Sequence, residues 1–117
     1  MNNIINIAKN VIRIEADAVS SLVDRIGVSF TKAVDIIQSA TGRVVVVGMG
    51  KSGSIAKKIA ATLSSTGTTS FFVHPAEAFH GDLGMIHAND VILMISYSGE
   101  TEELVRLLTF MKYQGNK

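Results

Sequence analysis

Residues 44–53 are Val-Val-Val-Val-Gly-Met-Gly-Lys-Ser-Gly, and they give the strongest indication of the fold class. Its first half is a β-branched run without polar alternation, which is typical of a strand buried on both faces of a parallel sheet. Its second half fits the pattern Gly-x-Gly-x-x-Gly and is followed by apolar residues at helical spacing. A strand, a glycine turn and a helix in this order predict the first β–α unit of an α/β sheet.

The elements on either side extend this unit. Apolar spacing predicts one helix over residues 3–26 and a second one that ends at Gly42. Two more strands are predicted at residues 68–73 and 91–95, and a last helix near Gly99 with Glu100, Glu102 and Glu103 in its first turns. Strands that alternate with helices imply a three-layer α/β fold with a parallel, right-handed sheet, here of three strands. We assign residues 1–41 to N-terminal helices and residues 42–117 to the sheet domain.

The composition excludes several classes of protein. Eleven Lys and Arg against ten Asp and Glu leave a net charge of +1, so we expect no nucleic-acid partner. The chain has no cysteine, which excludes disulfides and thiolate sites. The apolar runs are far shorter than the ~18–20 residues of a membrane span, and no basic segment with an apolar core opens the chain. We therefore expect no membrane association and a cytoplasmic location.

The glycine motif at residues 48–53 predicts a phosphate-binding turn, because backbone N–H groups at a helix N-terminus attract anions. A dinucleotide fold expects an acid at the end of the second strand, where this chain has His74, so a nucleotide is disfavoured. A Walker loop is rejected, because Val45 stands where its first glycine is needed. A turn without any ligand is the remaining alternative, and Lys51 and Ser52 beside the glycines argue against it.

A second loop, Ser-Tyr-Ser-Gly-Glu-Thr at residues 96–101, follows the third strand. Ser98 fits an ordinary helix N-cap, but the same hydroxyls and glycine also fit a phosphate cradle. If the first strand is central, with the other two on either side, both loops meet at the switch point where α/β sheets bind ligands. Two such loops together predict a small phosphorylated ligand.

Ionisable side chains supply candidates for catalysis. A cluster of histidines and acids lies between the second and third strands: His74, Glu77, His80, Asp82 and His87. We expect a polar loop there rather than a dedicated metal site. His80 is interpreted as a catalytic or substrate-contacting side chain, because histidine titrates near neutral pH. Glu103, on the border of an apolar helix face, is a candidate general base, and favourable placement in the helix dipole is the alternative.

These motifs, with His-Pro-Ala-Glu-Ala-Phe-His-Gly-Asp-Leu-Gly-Met at residues 74–85, resemble the sugar isomerase (SIS) domain family. Within that family they are most similar to the arabinose 5-phosphate isomerases. The resemblance implies a flavodoxin-like fold and the interconversion of D-arabinose 5-phosphate and D-ribulose 5-phosphate through an enediol, without a cofactor. It also implies a role in making lipopolysaccharide or capsule sugar precursors, and a homo-oligomer, typically a tetramer.

Carried over residue by residue, the resemblance implies roles at particular positions. Lys51, His80 and Glu103 would be catalytic. The implied substrate-binding residues are Ser52, Gly67, Thr68, His74, Ser96, Ser98 and Thr101, with the four hydroxyls at 52, 96, 98 and 101 on the phosphate. His74 is also similar to the family's zinc-sensitive histidine, which implies an inhibitory zinc ion. Tyr97 stands where the family usually has asparagine, and Ser54 where histidine is often found.

The family's domain continues into further strands, and many members add cystathionine-synthase-type domains. We therefore expect this chain to hold the N-terminal part of a SIS domain, with one edge of the apolar third strand uncovered. The main alternative function is a non-catalytic SIS module that binds a phosphosugar. A nucleotide-binding half-domain is the other alternative.

Overall fold

The computed structural model describes residues 2–117, which form two compact units divided after Asp35. The helices are α1 (Asn2–Ser20), α2 (Val28–Gln38), α3 (Gly50–Ser65), α4 (Pro75–Ala78) and α5 (Glu102–Gln114), with 3₁₀ turns at Ser21–Arg25 and Asp82–Met85. The strands are β1 (Val44–Gly48), β2 (Ser70–Val73) and β3 (Val91–Ile95). Within residues 2–117, no helix is long and apolar enough to cross a membrane.

The N-terminal helix is shorter than the sequence predicts. The hydroxyl of Ser21 donates to the carbonyl of Ala18 at 2.7 Å. A serine hydroxyl that bonds a nearby carbonyl competes with the helical hydrogen bond to that carbonyl. The chain accordingly tightens into a 3₁₀ turn at Ser21, and the prediction of one helix over residues 3–26 is wrong in its second part. No residue of α1 is buried, and its apolar side chains are exposed.

The sheet has the order β2-β1-β3, with both pairs of strands parallel. The predicted valine run is the central strand, and its valines are 0–1% exposed. Val44 and Val46 pack with Ala56 and Ala60 of α3, whereas Val45 and Val47 pack on the other face against α4 and α5. The predicted three-layer α/β fold with a three-stranded parallel sheet is thereby confirmed.

Two element boundaries differ from prediction. The sequence places Glu100 in the first turn of the last helix, but α5 begins two residues later and Glu100 is exposed outside it. Gly99 has φ +71°, and the Ser98 hydroxyl accepts from the Glu100 N–H at 3.2 Å, so the loop turns away from helical geometry. β2 begins at Ser70 rather than at 68, because the Thr68 N–H closes the end of α3 by donating to a helix carbonyl.

At the N-terminal end of the strands, Asp90 is a buried carboxylate (2% exposed). It accepts hydrogen bonds from the Arg43 N–H at 2.8 Å, from the Arg43 guanidinium at 2.9 Å and from the His87 N–H at 2.8 Å. Burial raises the pKa of Asp90, but these hydrogen bonds outweigh burial, and the pKa lies below its ordinary value of 3.8. Asp90 therefore ties the start of β3 to the start of β1.

Within the described residues, β3 pairs on one side only. Its other edge opens onto a groove of about 390 Å³, lined in part by the apolar side chains of Ile92, Met94, Leu104 and Leu108. The Ile92 N–H donates to the carbonyl of Lys117 at 3.0 Å, so this edge receives one backbone hydrogen bond from the end of the chain. The expected uncovered edge is present in this part of the chain.

We expect Asp90→Asn to lower the free energy of unfolding by about 2–3 kcal/mol at neutral pH, because it weakens charge-assisted hydrogen bonds to a buried group. Urea denaturation measures the loss, and Asp17→Asn on exposed α1 is the control. Because folding lowers the pKa of Asp90 from its ordinary value of 3.8, the ionised carboxylate contributes fully to the free energy of unfolding above pH 3.8. This contribution is lost as the pH falls below that value. The gap between wild type and Asp90→Asn should therefore narrow in acid. A gap that stays constant from neutral to acid pH would contradict this role.

Candidate functional site

The turn between β1 and α3 is shaped by three glycines with different roles. A Cβ on Gly48 would lie 2.7 Å from the carbonyl oxygen of Ser52, and a Cβ on Gly53 would lie 2.9 Å from the carbonyl oxygen of Gly48. These two glycines therefore permit close contact between the strand end and the first helical turn. Gly50 has φ +57°, a left-handed conformation that glycine adopts without strain. The turn brings the N-terminus of α3 directly over the end of β1.

The loop between β3 and α5 is held by its own hydroxyls. The Ser96 Oγ accepts from the Gly99 N–H at 2.9 Å, and the Ser98 Oγ accepts from the Glu100 N–H at 3.2 Å. Ser98 therefore closes a turn before the helix, and the N-cap of α5 is Thr101. In both bonds the serine oxygen is the acceptor, so each hydroxyl proton stays available to a ligand.

These two segments enclose a cavity of about 270 Å³ between the carboxyl ends of β1 and β3. It is lined by all four hydroxyl-bearing residues assigned to phosphate and by four other residues: Ser52, Ser96, Ser98, Thr101, Met49, Ile95, Tyr97 and Leu104. We call it the serine cavity. The first backbone N–H groups of a helix have no partner within the helix, and two helices, α3 and α5, begin beside it. No carboxylate lines it, so hydroxyls, amides and helix dipoles all favour an anion there.

The three residues assigned to catalysis do not line the serine cavity. Lys51 is exposed in the first turn of α3, next to Ser52, and Glu103 is half-buried in the first turn of α5. His80 is exposed in the turn that follows α4, where its N–H donates to the carbonyl of Glu77 at 3.0 Å. Lys51 and Glu103 thus flank the cavity in sequence, while His80 comes from a separate loop.

His74 lies at the end of β2 and caps α4 with its side chain. Its Nδ1 accepts from the Ala76 N–H at 3.1 Å, so the proton of the neutral ring is on Nε2. Val73 is paired with Val47, which places His74 at the same edge of the sheet as the serine cavity. Within residues 2–117, no three metal-ligating side chains come together, so His74, Glu77 and His80 do not form a metal site by themselves.

Gly67 and Thr68 lie at the opposite end of the strands, before the N-terminus of β2. They follow α3, whose sixteen residues run back from the cavity to the N-terminal end of β2. Such a helix is about 24 Å long at 1.5 Å per residue. Gly67 follows the end of α3 with φ +102°, and this left-handed conformation explains why a glycine stands at that position. Within this chain, these two residues are not brought to the serine cavity.

Tyr97 was expected only as a departure from a family pattern, and Met49, Ile95 and Leu104 were not predicted as site residues. All of them line the serine cavity. Met49 lies within the glycine motif at residues 48–53 and Tyr97 within the loop at residues 96–101, and this position inside a predicted phosphate-binding segment was the available signal. The apolar wall contributed by Ile95 and Leu104 depends on how α5 packs on β3, which no local motif encodes.

Comparison with known proteins assigns the family. A model of the SIS domain matches residues 36–117. This chain belongs to the SIS domain family. It is 60% identical over 111 residues, 95% of its length, to the arabinose 5-phosphate isomerase KdsD of Pseudomonas aeruginosa, and 55% identical over 101 residues, 86% of its length, to the arabinose 5-phosphate isomerase GutQ of Escherichia coli.

The same SIS fold is present in a solved structure. The Escherichia coli CFT073 protein c3406, solved in complex with arabinose 5-phosphate, is 46% identical and superposes with a TM-score of 0.90 over 98% of this chain and 61% of that one. This SIS chain spans about a third of the curated relatives it matches, 34% of KdsD and 32% of GutQ. The resemblance to arabinose 5-phosphate isomerases is thus confirmed over the part that is shared.

Gly48→Ala should disrupt the β1–α3 turn, because the added methyl meets backbone atoms that cannot rotate away. We expect a loss of about 2–4 kcal/mol in the free energy of unfolding, as for other overpacked buried sites. Thermal unfolding followed by circular dichroism measures it. Gly84→Ala is the control, since its Cβ meets nothing within 4 Å and its φ is not positive. Equal stability of the two variants would contradict the close approach at Gly48.

Proposed function

We propose that this chain is the phosphate-binding part of an aldose–ketose isomerase that interconverts D-arabinose 5-phosphate and D-ribulose 5-phosphate. The observation that carries the proposal is the serine cavity, with four hydroxyl side chains at the joined ends of two parallel strands. Its support comes from relatives named arabinose 5-phosphate isomerases and from a similar protein solved with arabinose 5-phosphate. Because the chain spans about a third of those relatives, the activity belongs to this proposal.

The substrate phosphate is held by the four hydroxyls of the serine cavity. A phosphate dianion has only acceptor oxygens, and the site offers hydroxyl protons and N–H groups at the starts of α3 and α5. The cavity volume of about 270 Å³ suits a phosphate with the nearest carbons of the sugar rather than a nucleotide. The remaining carbon atoms of the sugar then extend toward Lys51 and Glu103, which flank the cavity in sequence.

Glu103 is the proposed general base. After the sugar ring opens, its carboxylate removes the proton from C2, and the electron pair forms the C1–C2 double bond of an enediolate. The proton then returns to C1, while the proton of the C2 hydroxyl passes to the oxygen on C1, so that C2 becomes the ketone and C1 carries a hydroxyl. Lys51 and His80 assist ring opening and stabilise the charge on the enediolate oxygen. The sum is an isomerisation, so no oxidant, reductant or cofactor is consumed.

His74, Gly67 and Thr68 complete the proposed contacts with substrate. His74 presents Nε2–H to the sugar, since its Nδ1 is used by the Ala76 N–H. An inhibitory zinc ion at Nε2 would need the proton moved to Nδ1, which would cost that hydrogen bond. Gly67 and Thr68 lie at the other edge of the sheet, so a contact from them requires a second copy of the chain.

We also propose an assembly and a pathway for this chain. The exposed apolar side chains of α1 favour association, and we propose a homo-oligomer, a tetramer as the resemblance implies. The product would feed lipopolysaccharide or capsule sugar precursors in the cytoplasm. Residues 1–41 would be the entry helices and 42–117 the N-terminal part of the SIS domain.

The turnover of arabinose 5-phosphate to ribulose 5-phosphate tests the reaction. We expect Glu103→Gln to lower kcat by about 10²–10⁴-fold, the range of general-base catalysis, with little change in KM. Glu102→Gln is the matched control, because Glu102 is the adjacent carboxylate on the exposed side of α5. Full activity in Glu103→Gln would remove it as the base. Saturable binding without turnover in the wild type would favour a non-catalytic phosphosugar-binding module.

The phosphate contacts are tested separately by binding. Ser98→Ala removes one hydroxyl donor from the serine cavity, and we expect about tenfold weaker binding of arabinose 5-phosphate by calorimetry. Ser65→Ala is the control, because Ser65 is exposed at the far end of α3 and bonds only a carbonyl of its own helix. An unchanged dissociation constant in Ser98→Ala would contradict the assignment of the phosphate to this cavity.

A further inference from the structure

Tyr97 is an aromatic side chain at the rim of the serine cavity, between the two serines of the β3–α5 loop. It lines the cavity and yet is fully exposed, with a relative exposure of 104%. In the part of the chain that the structure describes, its phenol hydroxyl has no hydrogen-bond partner. An exposed aromatic ring loses the stabilisation that burial of its large apolar surface provides. The ring is therefore free to cover whatever occupies the cavity.

The backbone on both sides of Tyr97 is held, whereas its ring can move. The Ser96 and Ser98 hydroxyls each accept from a backbone N–H two or three residues ahead, and Gly99 supplies the left-handed turn that follows them. Motion of the ring is thus confined to its two side-chain torsions. Ordering a tyrosine costs little conformational entropy for the contact area it gains.

We propose that Tyr97 is a specificity-determining residue that packs its ring against the carbon chain of the ligand whose phosphate occupies the serine cavity. The inference rests on the proposed function and deepens it. The serines bind only the phosphate, which every sugar phosphate and inorganic phosphate share. A ring next to both serines contacts the first carbons beyond the phosphate, where C–H groups give it an apolar partner, and its hydroxyl reaches a sugar hydroxyl.

The composition of the chain makes this measurable. It has no tryptophan and only two tyrosines, Tyr97 and Tyr113. Tyr113 is also exposed, at 93%, but lies near the end of α5 and does not line the serine cavity. The variant Tyr113→Phe therefore leaves Tyr97 as the only tyrosine emitter. Its fluorescence and its solvent accessibility to iodide report directly whether the ring is covered.

The experiment titrates the full chain with arabinose 5-phosphate and, separately, with inorganic phosphate. In Tyr113→Phe we expect arabinose 5-phosphate to reduce iodide quenching of Tyr97, and inorganic phosphate to leave it unchanged. By calorimetry, Tyr97→Asn should weaken the binding of arabinose 5-phosphate about five- to tenfold and the binding of inorganic phosphate less than about twofold. Tyr97→Phe, which keeps the ring, should stay within about threefold of wild type for the sugar phosphate.

Every other outcome contradicts either the role of Tyr97 or the proposed function. Equal weakening of both ligands in Tyr97→Asn, or no weakening of either, would overturn the role of Tyr97, as would ligand-independent quenching. A Tyr113→Phe variant that binds arabinose 5-phosphate normally while Tyr97 stays uncovered overturns only this inference. A wild type that binds neither ligand overturns the proposed function together with it. Far-ultraviolet circular dichroism of each variant shows that the fold is intact.

Discussion

The backbone of β1 has no contact with water, because strands pair with it on both edges and helices cover both faces. That condition determines the order of the remaining parts. β2 and β3 lie on either side of β1 and run parallel to it, so each connection has to cross over the sheet. Helix α3 makes the connection from β1 to β2, and α4 with a 3₁₀ turn makes the connection from β2 to β3. The alternating valines then divide into two sets, and α3 and α5 each present apolar side chains to one set.

The serine cavity is a consequence of this arrangement. Parallel strands end at the same edge of the sheet, so the segment after β1 and the segment after β3 have to meet there. Both segments begin helices, and each helix starts with N–H groups that lack an internal partner. The glycine contacts at Gly48 and Gly53 bring α3 close, and the hydroxyls of Ser96 and Ser98 satisfy the loop before α5. The features of this cavity that favour an anion thus arise from strand order together with helix N–H groups that lack an internal partner.

Much of this could be predicted from the sequence, where the cause is local or follows from topology. The valine run and β3 were predicted within one residue at each end, because a continuous apolar run has few alternative structures. The end of α1 was not predicted, because the Ser21 hydroxyl competes for a helix carbonyl. The start of α5 was not predicted either, because Ser98 bonds the Glu100 N–H and Gly99 adopts a positive φ. The meeting of the two loops was predicted from the strand order, and the four hydroxyl residues that line the cavity were named through the family resemblance. The position of Gly67 and Thr68 was predicted by neither.

Substitutions at the two ends of the sheet have different consequences. At the N-terminal end, the buried carboxylate of Asp90 accepts hydrogen bonds from Arg43 and His87 and holds the strands in register. Substitutions there therefore change the free energy of unfolding. At the C-terminal end, the loop at Tyr97 satisfies its own backbone and leaves its side chain outside the core. Side chains at that end can vary without disturbing the central strand. The side chain at position 97 therefore sets the chemistry of the cavity rim and leaves the fold that forms the cavity intact.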